Sequence, residues 1–247
     1  MMSNVSLISL SKPSAVTGCK KASDLVAYTA RVSNPNNQNN TKTAPKLLKY
    51  LIKEEHWSPF EMVHMTMEII TTRDIARQIL RHRSFSFQEF SQRYAVSENF
   101  QTRNARLQDT KNRQNSIEID HQVRKDGTST PESRLSEAWN MRQTQYIREA
   151  KELYEWALDN GIAKEQARAV LPEGLTESTL YMAGSLRSWI HYCQLRMGNG
   201  TQKEHAEVAS KCWDIVAIHF PEVVEAIDGS LPQSPTGVTV KQEDLLW

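Results

Sequence analysis

Residues 62–83, MVHMTMEIITTRDIARQILRHR, decide the predicted fold, because the hydrophobic pattern changes within them. In residues 62–70 every second side chain is apolar, which is the pattern of a half-buried strand. Thr71 or Thr72 then takes the position of a helix N-cap, and the helix is expected to continue to about His82. The stretch therefore predicts a strand that leads directly into a helix.

The rest of the chain is predicted to be mostly helical. Residues 5–10 alternate weakly, which is typical of an edge strand. Apolar residues at helical spacing predict helices over residues 22–32, 44–55, 131–158, 164–170, 179–196 and 201–219. Thr130 is expected to cap the longest of these, and a capping box of Thr201 and Glu204 is expected to open the last. One helix-rich α+β domain with a small sheet is therefore expected over residues 1–247.

Two segments lack a regular hydrophobic pattern. Residues 97–130 are strongly polar with few apolar anchors, and a lid or an assembly loop is expected there. Residues 229–247 are expected to form an irregular tail. Both segments are interpreted as parts of the single domain.

The near balance of charges limits the kinds of ligand. The chain has 30 Lys and Arg residues against 29 Asp and Glu, so its net charge of +1 provides no long-range field for nucleic acid or an acidic membrane. Any anion site must therefore be local. Cys19, Cys193 and Cys212 form no CxxC pair, which fits the reducing cytoplasm. No apolar run reaches the length of about 18 residues that a membrane span requires, so neither a span nor a signal peptide is expected.

A cluster of cationic and polar residues begins at the end of the predicted helix, in residues 81–94, RHRSFSFQEFSQRY. On that helix, Gln78, Arg81 and His82 lie at i, i+3 and i+4, so their side chains would share one face. Guanidinium groups bind phosphate oxygens in pairs, and imidazole can stack on a planar heterocycle, so a nucleotide suits this face. The alternative is a solvated, Arg-rich helix face without a ligand.

Two further patterns place polar side chains together. Glu89, Ser91 and Arg93 occur at every second position, so an extended segment would project all three to one side. A surface Glu–Arg ion pair is the alternative. Arg187 and His191 are one helical turn apart, and the alternative for them is the polar edge of a core helix.

Residues 56–64, HWSPFEMVH, contain two histidines and a glutamate. The spacing matches neither HExxH nor an equivalent ligand pattern, so no metal is predicted, and His64 is interpreted as a core histidine. The sequence also lacks GxGxxG, GxxxxGK[ST] and GxSxG. A Rossmann dinucleotide site, a P-loop and an α/β-hydrolase elbow are therefore unsupported.

Four motifs, in order along the chain, resemble those of the flavin-dependent thymidylate synthases. They are HWSPFE at residues 56–61, RHR at residues 81–83 followed after seven residues by Ser91, ARAVLP at residues 167–172, and SLRSWIHYCQLR at residues 185–196. The resemblance covers most of the chain except residues 97–132 and the C-terminal tail. It implies an α+β fold with a small, mainly antiparallel sheet, and a homotetramer whose active sites are shared between subunits.

The resemblance also implies a reaction and its participants. The expected enzyme is a methyltransferase that converts dUMP to dTMP, with 5,10-methylenetetrahydrofolate as carbon donor, bound FAD as redox carrier and NADPH as co-substrate. None of the three cysteines is placed as a nucleophile, and Arg196 is implied to act in catalysis by helping to ionise the uracil N3 position.

Site residues are carried over position by position. The implied flavin contacts are Ser58, Arg81, His82, Arg83, Glu89, Ser185, Arg187 and His191. The implied substrate contacts are Gln78, Arg81, Glu89, Ser91, Gln92, Arg93, Arg168 and Arg196 for dUMP, and His56 on the folate-facing side of the flavin. The chain departs from many members at Met62, where they have His, and from some at Ser185 and His191, where they have Asn, and at Gln92, where they have Gly.

Two other functions were weighed. One is a nucleic-acid-binding module that places a row of guanidinium groups on phosphates, namely Arg73, Arg77, Arg81, Arg83 and Arg93. The near-zero net charge and the lack of an aromatic stacking platform disfavour it. The other is a structural helical oligomer, in which Arg81 and Arg196 would be dispensable.

Overall fold

A small antiparallel sheet carries the helices that bring the site residues together. The structure is a computed structural model and describes residues 3–119 and 129–227. Its strands are β1 Asn4–Leu10, β2 His64–Thr72, β3 Ser86–Glu89, β4 Arg106–Gln108, β5 Ser116–Glu118 and β6 Glu177–Ser185. Its helices are α1 Ala22–Ala30, α2 Ala44–Lys53, α3 Arg73–Ile79, α4 Pro131–Asp159, α5 Lys164–Ala167, α6 Leu186–Arg196, α7 Lys203–His219 and α8 Pro221–Ile227. The α+β prediction is confirmed.

The main sheet has the strand order β1-β2-β6-β3, so β1 is an edge strand, as expected. Strands β2 and β6 pair along their whole length, from His64 opposite Ser185 to Thr72 opposite Glu177. The core lies where the buried methionines and leucines of these two strands meet helices α3, α6 and α7. Within the core, Trp189 is fully buried and its indole N–H donates to the carbonyl of Met65, 3.2 Å away.

The expected helix over residues 179–196 is wrong in its first half, because residues 179–185 belong to β6. Leu180 and Met182 are buried while Tyr181 between them is exposed, which is the period of a strand. A Cβ atom on Gly184 would lie 2.5 Å from the ring of Phe85, so the close approach of β6 to this ring requires glycine. Pairing with β2 and β3 therefore overrides the helix-like spacing.

The predicted change from strand to helix is confirmed at Thr72, where β2 ends and α3 begins. Helix α3 ends at Ile79, however, and the amides of Arg81 and His82 donate to carbonyls three residues earlier in a tighter turn. The expectation of one continuous helix face is therefore wrong for Arg81, which is exposed, whereas Gln78 and His82 both lie beside His205. The interpretation of His64 as a core histidine is also wrong, because its side chain is exposed at the start of β2.

Of the two helix caps predicted from the sequence, one is present in the structure and the other is not. The hydroxyl of Thr130 accepts a hydrogen bond from the amide of Ser133, 3.1 Å away, so the predicted cap of α4 is confirmed. Helix α7 begins at Lys203 and has no side-chain cap, so the expected capping box of Thr201 and Glu204 is wrong. The carboxylate of Glu204 instead accepts hydrogen bonds from other side chains.

The polar segment is attached to the rest of the domain where it is described. Its residues 106–118 include the hairpin of β4 and β5. Arg103 lies 2.7 Å from Asp74 of α3 and 3.0 Å from Glu204 of α7, and Arg106 lies 2.6 Å from Glu204. Residues 120–128 of the expected lid and the whole expected tail lie outside the described residues. A lid or assembly role stays a prediction.

Candidate active site

Arg196 and His82 form the centre of the site. Arg196 is the last residue of α6, and its Nε–H donates to Nε2 of His82 over 2.9 Å. His82 therefore carries its own proton on Nδ1. Burial, with the charge of Arg196 as a further cause, lowers the pKa of His82 to about 4, so the ring is neutral at pH 7. Within the described part of the chain, the terminal amino groups of Arg196 have no hydrogen-bond or ion-pair partner and can bind a ligand.

Gln78 lies beside this pair and is held by two residues of the α7 region. Its Nε2 donates to Oε1 of Gln202 over 2.7 Å, and its Oε1 lies 3.3 Å from Nδ1 of His205. His205 is fully buried, and burial lowers its pKa to about 3, with smaller contributions from Arg196 and His82. Gln78, His82 and Arg196 are half-buried, and these three residues together with His205 are called the buried group below.

His205 was not identified from the sequence. It lies on the buried stripe of α7 together with Val208, Ala209 and Cys212, and a single histidine on such a stripe resembles an ordinary core residue. The sequence feature that could have identified it is a polar imidazole at a position that the helical period assigns to the core.

Aromatic rings and thiols complete the wall around the buried group. The ring of Tyr192 meets that of His82 edge to face, with centroids 4.9 Å apart, and lies 5.8 Å from that of His205. Burial raises the pKa of the Cys193 and Cys212 thiols well above the ordinary value. Both thiols are protonated at pH 7, which agrees with the expectation that neither acts as a nucleophile.

A second polar cluster surrounds the start of α6. Ser185 caps this helix by accepting from the amide of Ser188 at 3.2 Å, and its hydroxyl donates to the carboxylate of Glu61. Arg187 donates to the other oxygen of Glu61 over 2.8 Å. Although burial acts to raise the pKa of Glu61, these hydrogen bonds lower it below its ordinary value. Glu61 thus positions two implied flavin contacts and was not itself among the predicted site residues.

Aromatic neighbours hold the two implied site histidines near this cluster. His191 meets the ring of Trp57 edge to face at 4.9 Å, and burial, followed by the charge of Arg187, lowers its pKa. His56 is exposed, and its ring centroid lies 6.4 Å from that of Tyr50. Both histidines therefore keep polar ring atoms near the surface.

Three implied flavin contacts lie at the surface. Arg81 and Arg83 are exposed in the turn before β3, and neither forms an ion pair with any residue that the structure describes. Ser58 is exposed at the start of a short 3-10 turn, Ser58–Met62. These residues offer two unneutralised cations and a hydroxyl.

Glu89 is engaged by neighbouring side chains. The hydroxyl of Ser178 donates to it over 2.9 Å, and the guanidinium groups of Arg73 and Arg77 lie 3.5 and 3.9 Å away. Both arginines also pair with Glu173. Three of the five guanidinium groups invoked for nucleic-acid binding therefore have acidic partners, because Arg93 also pairs with Glu165.

The segment after Glu89 does not have the expected extended form. Strand β3 ends at Glu89, and the amide of Tyr94 donates to the carbonyl of Ser91 over 3.1 Å, so residues 91–94 form a turn. The expectation that Glu89, Ser91 and Arg93 project to one side is therefore wrong. Gln92 is buried within the turn, and its amide donates to the hydroxyl of Ser97 over 2.9 Å.

Arg93 and Arg168 meet at Glu165. The Nε of Arg93 lies 3.4 Å from the Glu165 carboxylate, and the Nε of Arg168 donates to the backbone carbonyl of the same residue over 3.3 Å. The side chains of Arg93 and Glu165 are 55% and 51% exposed. These three residues are called the exposed group below. Among residues 3–119 and 129–227, no hydrogen bond or ion pair joins it to the buried group.

The described residues contain no cluster of three or more His, Cys, Asp or Glu side chains able to hold a metal ion. The same residues include no helix long and apolar enough to cross a bilayer.

Comparisons with known proteins identify the family. Residues 15–222 match the family described as thymidylate synthase complementing protein. A probable flavin-dependent thymidylate synthase of Paramecium bursaria Chlorella virus 1 is 50% identical over 223 residues, which cover 90% of this chain and 97% of the relative. The flavin-dependent thymidylate synthase of Synechocystis sp. is 48% identical over 229 residues, which cover 91% and 99%.

A solved structure supports the same relationship. The UMP/dUMP methylase PolB from Streptomyces cacaoi, bound with 5-Br dUMP, superposes with a TM-score of 0.74 at 28% sequence identity, covering 94% of this chain and 97% of PolB. The matched family extends over most of the chain, and the relatives are covered almost completely. The chain therefore belongs to the flavin-dependent thymidylate synthases, and it is an enzyme, a methyltransferase.

Proposed function

We propose that the enzyme methylates dUMP to dTMP in the cytoplasm, with 5,10-methylenetetrahydrofolate as carbon donor, bound FAD as redox carrier and NADPH as reductant. The observation that carries the proposal is the half-buried guanidinium of Arg196, which is anchored by neutral His82 and has no other partner for its terminal donors among the described residues. Unpaired Cys19, Cys193 and Cys212 fit a reducing compartment.

The pyrimidine ring is proposed to bind at the buried group. Methylation at uracil C5 requires negative charge to build on the ring, and a guanidinium in a water-poor site stabilises such charge strongly. Because His82 is neutral and accepts from Nε, it fixes the plane of Arg196 without competing for the ligand's charge. Gln78 contributes an amide whose orientation is set by its neighbours.

The phosphate of dUMP is proposed to bind at the exposed group, with Ser91 and Gln92 as the further implied contacts. The guanidinium of Arg93 pairs with the Glu165 carboxylate and that of Arg168 with the Glu165 backbone carbonyl, so one positive charge remains for an anion. We propose that the enzyme is a homotetramer whose active sites are shared between subunits, as the family motifs imply.

The donor set also fits a flavin dinucleotide. Arg81 and Arg83 are unneutralised within the described residues and suit a diphosphate, while Glu61 positions Ser185 and leaves Arg187 with N–H groups that can donate to a ligand. His82 offers the N–H of Nδ1, and the implied contacts Ser58, Glu89 and His191 remain part of the proposal. When bound, FAD supplies a two-electron carrier and a ring nitrogen for one-carbon transfer.

His56 is proposed to face the folate. Its backbone amide donates to the carbonyl of Leu51 over 2.8 Å, which fixes it directly after α2, and its exposed ring is free to stack on a planar ligand. Buried Cys193 and Cys212 are protonated, so the chain itself activates the pyrimidine by charge stabilisation and not by addition of a thiolate.

The test is a product assay on the purified, flavin-loaded enzyme. Labelled dUMP should become dTMP only when methylenetetrahydrofolate and NADPH are both present, and the flavin released by denaturation should be FAD by mass spectrometry. A protein that binds no flavin, or that forms dTMP equally well without a reductant, would contradict the proposal. Replacing NADPH by NADH shows which nicotinamide cofactor the enzyme prefers as reductant. Replacing dUMP by UMP shows whether it prefers deoxyribose or ribose in the substrate.

A further inference from the structure

The carboxylate of Glu204 is a fixed acceptor at the start of α7. Arg103 and Arg106 lie 3.0 and 2.6 Å from its two oxygens. Burial acts to raise its pKa, but its own backbone N–H at the helix start and Arg103 lower it, so the group is ionised at neutral pH. An ionised carboxylate has no proton to donate and can only accept hydrogen bonds.

This acceptor sets the direction of a chain of hydrogen bonds. Gln202 must present its amide nitrogen to Glu204, which it does over 3.0 Å, so its oxygen faces Gln78. Gln78 must then present its own nitrogen to Gln202, so its oxygen faces His205. His205 must therefore carry its proton on Nδ1, because only a donor satisfies that oxygen.

At the far end of this chain, Nε2 of His205 is a bare acceptor. It is buried and has no hydrogen-bond partner among the described residues. An unpaired buried polar atom is destabilising, so a purely structural role for the ring would be better filled by an apolar side chain. The feature that the histidine supplies and an apolar residue cannot supply is the N–H at Nδ1.

We infer that His205 is a positioning residue for substrate: together with Gln202 and Glu204 it locks the amide of Gln78 so that one N–H of Gln78 is left to bind the pyrimidine nucleotide. The inference rests on the proposed function, in which Gln78 contacts dUMP. Without the lock, the amide of Gln78 would rotate, and half of its orientations would present an acceptor where a donor is needed.

The test uses dUMP affinity of the flavin-loaded enzyme, measured by titration calorimetry. His205→Leu removes the donor, whereas His205→Asn places an amide N–H close to the position of Nδ1. We expect the Kd for dUMP to rise about tenfold in His205→Leu, the effect of one hydrogen bond, and to stay within about threefold of the parent in His205→Asn. The KM for dUMP should follow Kd while kcat stays nearly constant.

A second variant covers the case in which His205→Leu fails to fold. Gln202→Leu breaks the chain on the other side of Gln78, at a half-buried position, and is expected to raise Kd by a similar factor. Flavin content and thermal midpoint are measured for each variant, because a structural defect would lower both without distinguishing Asn from Leu.

The outcomes separate the inference from the proposed function. If Gln78→Ala weakens dUMP binding while His205→Leu and Gln202→Leu bind like the parent, the positioning role is overturned and the proposed function stands. If Gln78→Ala also binds dUMP like the parent, the substrate contact of Gln78 fails and the inference fails with it. If the unsubstituted holoenzyme binds no dUMP, the proposed function itself is overturned.

Discussion

The buried and exposed groups solve the problem of binding one nucleotide in opposite ways. His205 is fully buried and Arg196 donates to a neutral ring, so the buried group is held by hydrogen bonds whose directions are fixed within one chain. In the exposed group, the side chains of Arg93 and Glu165 are about half exposed and meet only at 3.4 Å. Exposed pairs of this kind contribute little to stability.

This difference in burial and bonding shows which part of the site is already ordered in the absence of ligand. The guanidinium of Arg196 in the buried group is preorganised, so its contribution should appear where charge develops during the reaction, whereas Gln78 and its neighbours should act on binding. The side chains of Arg93 and Glu165 in the exposed group are about half exposed, so a phosphate would have to order them, and their contribution should appear in ground-state binding.

The largest effect is expected from Arg196→Ala. Removing the guanidinium should lower kcat by about 100- to 1000-fold, as for other preorganised donors to a developing anion. Flavin content should remain that of the parent. Single-turnover formation of dTMP is the measurement, and Arg196→Lys, which keeps the charge but loses the paired donors, should recover only part of the rate.

Arg168→Ala tests the contribution of the exposed group. Loss of one charge-assisted hydrogen bond to phosphate should raise the KM for dUMP by about tenfold or more, with kcat little changed. Arg148→Ala is the matched control, because Arg148 is an exposed arginine of α4 paired only loosely with Glu152. A fall in kcat comparable to that of Arg196→Ala would erase the distinction between the two groups.

Acidification should destabilise the buried group selectively. The folded-state pKa values of His205 and His82 are about 3 and 4, below the ordinary value of 6.5, so the unfolded chain takes up protons first. Their contribution to stability is present above pH 6.5 and is lost as the pH falls towards these folded values. For fully buried His205 alone, the loss between pH 6 and pH 5 should be about 1 kcal/mol.

The measurement is urea unfolding of the parent and of His205→Asn at both pH values, at one protein concentration. The Asn variant should lose about 1 kcal/mol less over this interval, since it has one fewer proton to take up on unfolding. Identical losses in the two proteins would mean that His205 does not titrate with a lowered pKa.

The smallest effect concerns the backbone before His56, outside both groups. Glu55 has φ +55°, and the amides of Glu55 and His56 close the end of α2 on the carbonyls of Ile52 and Leu51. Glycine adopts this left-handed conformation without strain, so Glu55→Gly should stabilise the fold by about 0.5 kcal/mol. Glu54→Gly, one residue earlier at φ −90°, should bring no gain in the thermal midpoint.

The sequence predicted most elements but not the pairing of the site. His82 and Arg196 were both identified from their motifs, yet the bond between residues 114 positions apart depends on how α6 and the turn after α3 are brought together by packing on α7. Residues 179–185 show helix-like spacing and become a strand because β2 and β3 flank them. Local pattern cannot report such tertiary pairing.

The structure differs from the sequence-based prediction at two other places. Alternation of Glu89, Ser91 and Arg93 suggested an extended chain, but β3 ends at Glu89 and the chain turns. Glu204 matched a capping box with Thr201, but its carboxylate accepts from its own backbone N–H and from Gln202 and pairs with Arg103 and Arg106. These partners replace the reciprocal bonds with Thr201 that the motif predicts.

The central claim is that this site couples oxidation of a bound flavin to methylation of dUMP. The most direct test is a single turnover: holoenzyme reduced by NADPH without oxygen is mixed with dUMP and methylenetetrahydrofolate, and flavin absorbance and dTMP are followed together. We expect about one dTMP to form for each flavin that is reoxidised. In Arg196→Ala, we expect both dTMP formation and flavin reoxidation to be much slower. Formation of dTMP while the flavin stays reduced would contradict the central claim.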